Sequence, residues 1–135
     1  MTTLAASTFE VTTWDEKPYS EIEGGPKLTH THTVKIFHGE LEGESTLDYL
    51  MIYNASGTTN FYGLERVVGK IAGREGSFVL EHTGTDADNE TKDASTIVPG
   101  SGTGELSNLR GTGNFTATRE AYPFLFTLDY EFVQT

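Results

Sequence analysis

The chain has no cysteine, which excludes disulfides, thiolate nucleophiles and thiolate metal sites and fits a reducing compartment. Positive charge is scarce: 9 Lys and Arg stand against 20 Asp and Glu, a net of −11. Such a surface repels nucleic-acid phosphates and anionic lipid heads, so neither nucleic acid nor membrane is expected as a partner. No apolar run approaches the roughly 18 residues that a spanning helix needs. The opening Met1-Thr2-Thr3-Leu4 has neither the basic start nor the apolar stretch of a secretory leader, so the cytoplasm is the expected location. Without a leader, the Asn-x-Ser/Thr triplets at Asn54, Asn89 and Asn114 carry no weight.

Helical periodicity is missing as well. Apolar residues instead alternate with period two, and glycine-rich turns interrupt them about every ten residues. The predicted strands are Thr8–Trp14, Leu28–Phe37, Leu41–Tyr53, Thr59–Ile71, Glu75–Gly84, Lys92–Val98, Gly111–Thr118 and Phe124–Val133. Asp15–Lys27, with Pro18, Gly24, Gly25 and Pro26, reads as a loop over one end, and Asp86–Asp93 as an acidic loop. Eight strands with no helix between them form a sandwich or a barrel. The expectation is one all-β domain over residues 1–135, an eight-stranded antiparallel closed barrel.

Two hairpins acquire a register from charge and size. A two-residue turn at Gly73-Arg74 sets Arg66 against Glu81 outside, and Val67 against Leu80 and Gly69 against Phe78 inside. It also sets Glu65 opposite His82 on the inner face. In the second hairpin Glu40, Glu42, Glu44 and Asp48 belong outside, which turns Leu47, Tyr49, Met51 and Tyr53 inward. Leu28, His30, His32, Val34 and Ile36 share one face of the preceding strand and are assigned to the lumen, with Lys35 outside. The last strand adds Phe124, Phe126, Leu128, Tyr130 and Phe132 to the interior.

Gly63-Leu64-Glu65-Arg66-Val67, Gly76-Ser77-Phe78-Val79-Leu80-Glu81-His82 and Val98-Pro99-Gly100-Ser101-Gly102-Thr103-Gly104-Glu105-Leu106 together resemble a bacterial family filed as a domain of unknown function. Phe9-Glu10-Val11-Thr12 with Trp14, and Leu128-Asp129-Tyr130, fit the same pattern. The resemblance covers nearly the whole chain and implies membership of the allene-oxide-cyclase-like barrels, hence an eight-stranded barrel with no activity attached. Gly102-Thr103-Gly104 followed by Arg110-Gly111 is similar to a stretch of allene oxide cyclases and dirigent proteins, which guide cyclisation or coupling of apolar intermediates without a cofactor. Their active-site residues find no matching motif here.

Glu65 and His82 are the candidate catalytic pair, a carboxylate orienting an imidazole that takes a proton. The same two groups also suit a structural hydrogen bond, since a buried ion left alone is costly. His30, His32, Tyr49, Tyr53, Tyr130 and Trp14 are the candidate ligand-binding residues. His30-Thr31-His32 could present two imidazoles to zinc or iron, but a cupin-like pair is followed by a glutamate where this chain has Lys35, Ile36 and Phe37. No metal and no cofactor is therefore expected. The glycines of 100–104 lack a P-loop lysine, Leu106 and Leu109 are expected to plug a barrel end, and Thr91 stands where a calcium loop begun at Asp86 needs glycine. The expected function is binding of a small apolar or aromatic molecule in the lumen, with cofactor-free isomerisation or cyclisation as its catalytic form. A metal-dependent enzyme built on His30 and His32, and a structural barrel with a filled core, are the alternatives. Homo-oligomerisation stays open.

Overall fold

Alternation with period two over strands of 8–19 residues demands a sheet with one wet and one dry face, and eight such strands can hide every edge only by closing on themselves. The computed structural model describes residues 1–118 and 122–134. Its strands are β1 (Thr3–Glu21), β2 (Lys27–Gly39), β3 (Leu41–Tyr53), β4 (Thr59–Ile71), β5 (Arg74–Ala87), β6 (Glu90–Ile97), β7 (Thr103–Gly104), β8 (Leu109–Thr118) and β9 (Phe124–Phe132). Around the wall the order is β4-β3-β2-β1-β9-β8-β6-β5, and β4 pairs with β5 to close it. The eight long strands thus form the expected antiparallel barrel, while the short β7 adds to β5 at one end. Among the described residues no helix is long and apolar enough to cross a membrane.

The end that holds the Gly39 and Ala72-Gly73 turns is plugged. Leu41, Ile71, Leu106 and Leu109 are buried there beneath Phe78, Leu80, Ile97 and Leu128. Leu106 and Leu109 fill this end as expected, held by the tight turn Leu106 N–H to Thr103 O and Leu109 N–H to Leu106 O. At the opposite end the wall is looser. Among the described residues β1 pairs with β9 from Thr3 to Phe9, and beyond Phe9 it continues on β2 as far as Glu21.

That extension corrects the loop expected at Asp15–Lys27. Pro18 is tolerated because the outer edge of β1 has no ladder to donate to there, and the register slips beside it, between Pro18 and Ser20. A second slip, between Val11 and Thr13, inserts one extra residue and reverses the parity of the strand. Phe9 faces inward before it, and Trp14 and Glu16 do so after it, opposite Thr33 and Thr31.

Two further elements differ from expectation. The loop at Asp86–Asp93 is a two-residue turn, Asp88-Asn89, with φ of 55° and 64°, so β6 begins at Glu90 and carries Asp93 into the barrel. The β4–β5 turn is Ala72-Gly73, with φ of 53° and 74°, rather than Gly73-Arg74. A turn of this mirror-image kind needs both central residues left-handed and favours glycine at the second. The ladder is therefore shifted by two: Arg66 faces Val79, Val67 faces Phe78, Gly69 faces Gly76, and His82 faces Gly63. A slip of two leaves every side chain on its own face. The ring-over-glycine contact expected at Gly69 occurs at Gly84, where a Cβ would lie 2.2 Å from the Phe61 ring.

Candidate functional site

Because parity survives the shift, Glu65 and His82 both point inward and are fully buried. They sit diagonally rather than opposite. His82 Nε2–H donates to Glu65 Oε1 at 2.6 Å, and Nδ1–H donates to Asp93 Oδ1 and Oδ2 at 2.8 and 2.9 Å. With a carboxylate at each ring nitrogen both must donate, so His82 is an imidazolium. Burial opposes that charge, but the hydrogen bonds it donates to Asp93 and Glu65 prevail and raise its pKa above the ordinary 6.5.

Glu65 Oε2 accepts from the Ser45 hydroxyl and lies 3.7 Å from Lys35 Nζ. Burial pushes its carboxyl up, yet the Lys35 charge, the His82 bond and charge, and Ser45 outweigh it and hold the pKa at about 2. The four groups form a chain, Asp93–His82–Glu65–Lys35, of two negative and two positive charges. A buried carboxylate survives only with such compensation.

Lys35 is the correction that matters most for the site. It was assigned to the outside of β2, and the histidines to the inside. The β2–β3 ladder instead pairs Lys35 with Ser45, Thr33 with Leu47, Thr31 with Tyr49 and Thr29 with Met51. Residues paired across a ladder share a face, so the threonines and the lysine enter the barrel and the imidazoles leave it. His30 and His32 side chains are 51% and 44% exposed, and both contact Asp48 Oδ1, at 2.9 and 3.0 Å. Hydrophobicity favours the Leu28–Ile36 face, but the register with β3 decides: with Leu47, Tyr49 and Met51 inward, their partners Thr33, Thr31 and Thr29 are inward too.

Above the ion chain the barrel holds a cavity of about 420 Å³ that opens at the loose end. Phe9, Tyr49, Met51, Phe61 and Phe115 wall its depth, and Trp14, Tyr53 and Phe124 stand nearer the mouth. Lys35 and Thr33 line it too, whereas Glu65 and His82 do not. The Lys35 ammonium lies 4.4 Å from the centre of the Phe9 ring and 5.1 Å from that of Phe115. Near the rim Glu16 accepts from Thr29 at 2.8 Å, from Tyr53 and from Trp14 Nε1 at 3.3 Å, which ties three strands together. Burial and the charges of Asp93 and Glu65 drive the Tyr49 pKa well above 10, so its hydroxyl stays protonated.

Of the residues predicted to touch a ligand, Trp14, Tyr49 and Tyr53 line this cavity. Tyr130 is packed in the core and does not, and His30 and His32 stand on the outer wall. Sequence reasoning missed Lys35, Thr33, Glu16 and Asp93. Asp93 had a signal, since Asp93, Ser95 and Ile97 continue one alternating face. Among the described residues no cluster of three or more His, Asp or Glu side chains is arranged to hold a metal ion.

A comparison with curated proteins gives no match. A solved structure, a protein with unknown function from the DUF3224 family of Shewanella oneidensis MR-1, is similar over 99% of this chain and 100% of its own, with 31% identity and a TM-score of 0.82. The family described as "Protein of unknown function (DUF3224)" matches residues 5–130. The chain therefore belongs to the DUF3224 family.

Proposed function

We propose that this barrel binds a small, largely apolar or aromatic molecule in its open end. The observation that carries the reading is the cavity of about 420 Å³, within the range of small-molecule sites, walled mainly by aromatic and apolar side chains with Lys35, Asp86 and three threonines among them. A barrel built only as a structural block would fill that end with side chains, as the plugged end does with leucine and isoleucine. Glu65 and His82 serve the site from behind its wall. They fix the Lys35 ammonium against the cavity and do not themselves reach the ligand, so they are positioning residues. The allene-oxide-cyclase-like kinship suggested by Gly102-Thr103-Gly104 would add a precedent for cyclisation in such a lumen.

Trp14 is the single tryptophan and stands at the mouth, 6.4 Å from Tyr49, so its emission reports occupancy. Titrating a panel of apolar and aromatic compounds is expected to change that emission saturably. Ala117→Phe, which adds a ring to the cavity wall, is expected to weaken binding more than about tenfold while thermal stability is kept, because a filled site excludes its occupant. No saturable response from any compound would count against the reading.

A further inference from the structure

The cavity wall carries a charged donor, Lys35, whose ion pair within the protein is too long for a hydrogen bond. Lys35 is buried, with 4% of its side chain exposed, and its ion pair with Glu65 spans 3.7 Å, outside hydrogen-bond reach. Its ammonium points among the Phe9 and Phe115 rings of the cavity wall, which accept no conventional hydrogen bond. Thr33, two residues away on the same face of β2, has a hydroxyl shielded from solvent and without a hydrogen-bond partner among the described residues. Both residues line the cavity. Unmade hydrogen bonds of buried groups are costly, and one from a charged donor more so. An ammonium without a hydrogen-bond acceptor, set among the aromatic rings of the cavity wall, describes the complement of one acceptor oxygen.

Charge decides what kind of oxygen. Lys35 and His82 already balance Glu65 and Asp93, so the buried cluster is neutral before any ligand enters. A carboxylate would leave one uncompensated negative charge inside the barrel, close to Glu65, with Asp86 lining the same cavity and a chain of net −11 around it. A neutral acceptor incurs no such penalty. We infer that the ligand is an electroneutral apolar molecule bearing a carbonyl-type oxygen, seated against the Lys35 ammonium. This rests on the ligand-binding reading above and names the chemistry of that site.

Acetylnaphthalene, ethylnaphthalene and naphthoate share one aromatic body and differ only at the group in question. Titrated against Trp14 emission, the ketone is expected to bind at least about tenfold tighter than the hydrocarbon, the value of one hydrogen bond from a charged donor. It is also expected to bind tighter than the carboxylate. The carbonyl stretch of the bound ketone is expected to fall in frequency relative to an apolar solvent. Lys35→Met with Glu65→Gln keeps the cluster neutral; it should bring the ketone-to-hydrocarbon affinity ratio to about one and abolish the shift. Equal affinity for ketone and hydrocarbon, or tightest binding of naphthoate, would overturn the inference and leave the cavity reading standing. Absence of binding by all three would remove both.

Discussion

At the scale of single residues, the chain Asp93–His82–Glu65–Lys35 governs both stability and the chemistry of the cavity. Each charge is out of water, and each is tolerable only because its neighbours compensate it. Glu65→Leu or Asp93→Asn leaves an unmatched cation in the barrel and is expected to cost about 3–5 kcal/mol in denaturant unfolding. The double substitution Lys35→Met with Glu65→Gln should cost clearly less than the sum of the two singles, since members of one network do not act independently. Additive losses would show that the four groups are not coupled.

The same residues set a pH profile. Glu65 titrates at about 2 when folded, against an ordinary 4.5. Its contribution is therefore complete above 4.5 and vanishes as pH falls toward 2. His82 is shifted upward from 6.5, so its contribution is complete below 6.5 and is lost as pH climbs through the raised value. Urea midpoints should thus be highest between about pH 4.5 and 6.5 and decline on both sides. Glu65→Gln should flatten the acid limb. A profile of Glu65→Gln that keeps the acid limb unchanged would assign it to other carboxylates.

Among the elements, the hairpins show how local chemistry overrides a plausible pairing. Ala72 holds a left-handed φ of 53°, a conformation that costs a side chain roughly 1–2 kcal/mol unless it is glycine or asparagine. Ala72→Asn is expected to raise the unfolding free energy by about 0.5–1 kcal/mol without altering ligand binding, which equilibrium denaturation would reveal. Gly84→Ala should act in the opposite sense. Its new methyl would meet the Phe61 ring and, at 2.4 Å, the Lys92 carbonyl oxygen, and a backbone atom cannot move aside as a side chain can. The extra residue in β1 near Thr12 has the largest consequence for function. It turns Trp14 and Glu16 from the wall toward the cavity, and a bulge of this kind leaves only a weak trace in a run such as Val11-Thr12-Thr13-Trp14.

Over the whole molecule, closure joins β1 to β9, the two ends of the described chain, and every other long strand to its neighbour in sequence. The outer face bears most of the 20 acidic residues against 9 basic ones, so the folded barrel repels itself. Raising ionic strength to several tenths molar is expected to raise the urea midpoint, because screening relieves that repulsion. A midpoint that falls with salt would mean that surface ion pairs such as Lys17–Asp15 and Lys92–Glu90 outweigh it.

From the amino-acid order alone follow most of the strand positions, the period-two alternation, the barrel class, the inward Glu65 and His82, and the leucine plug. These depend on period-two patterning and turn residues, which are properties of neighbours in the chain. Tertiary structure alone decided which face of β2 entered the barrel, where β1 changed parity, and that Asp93 and Lys35 would complete the ion chain. Those outcomes depend on partners 11 to 30 residues apart, such as Asp93 with His82 and Lys35 with Glu65. A lysine and three threonines look like an outer face until the register with β3 turns them inward, where the lysine meets a buried carboxylate.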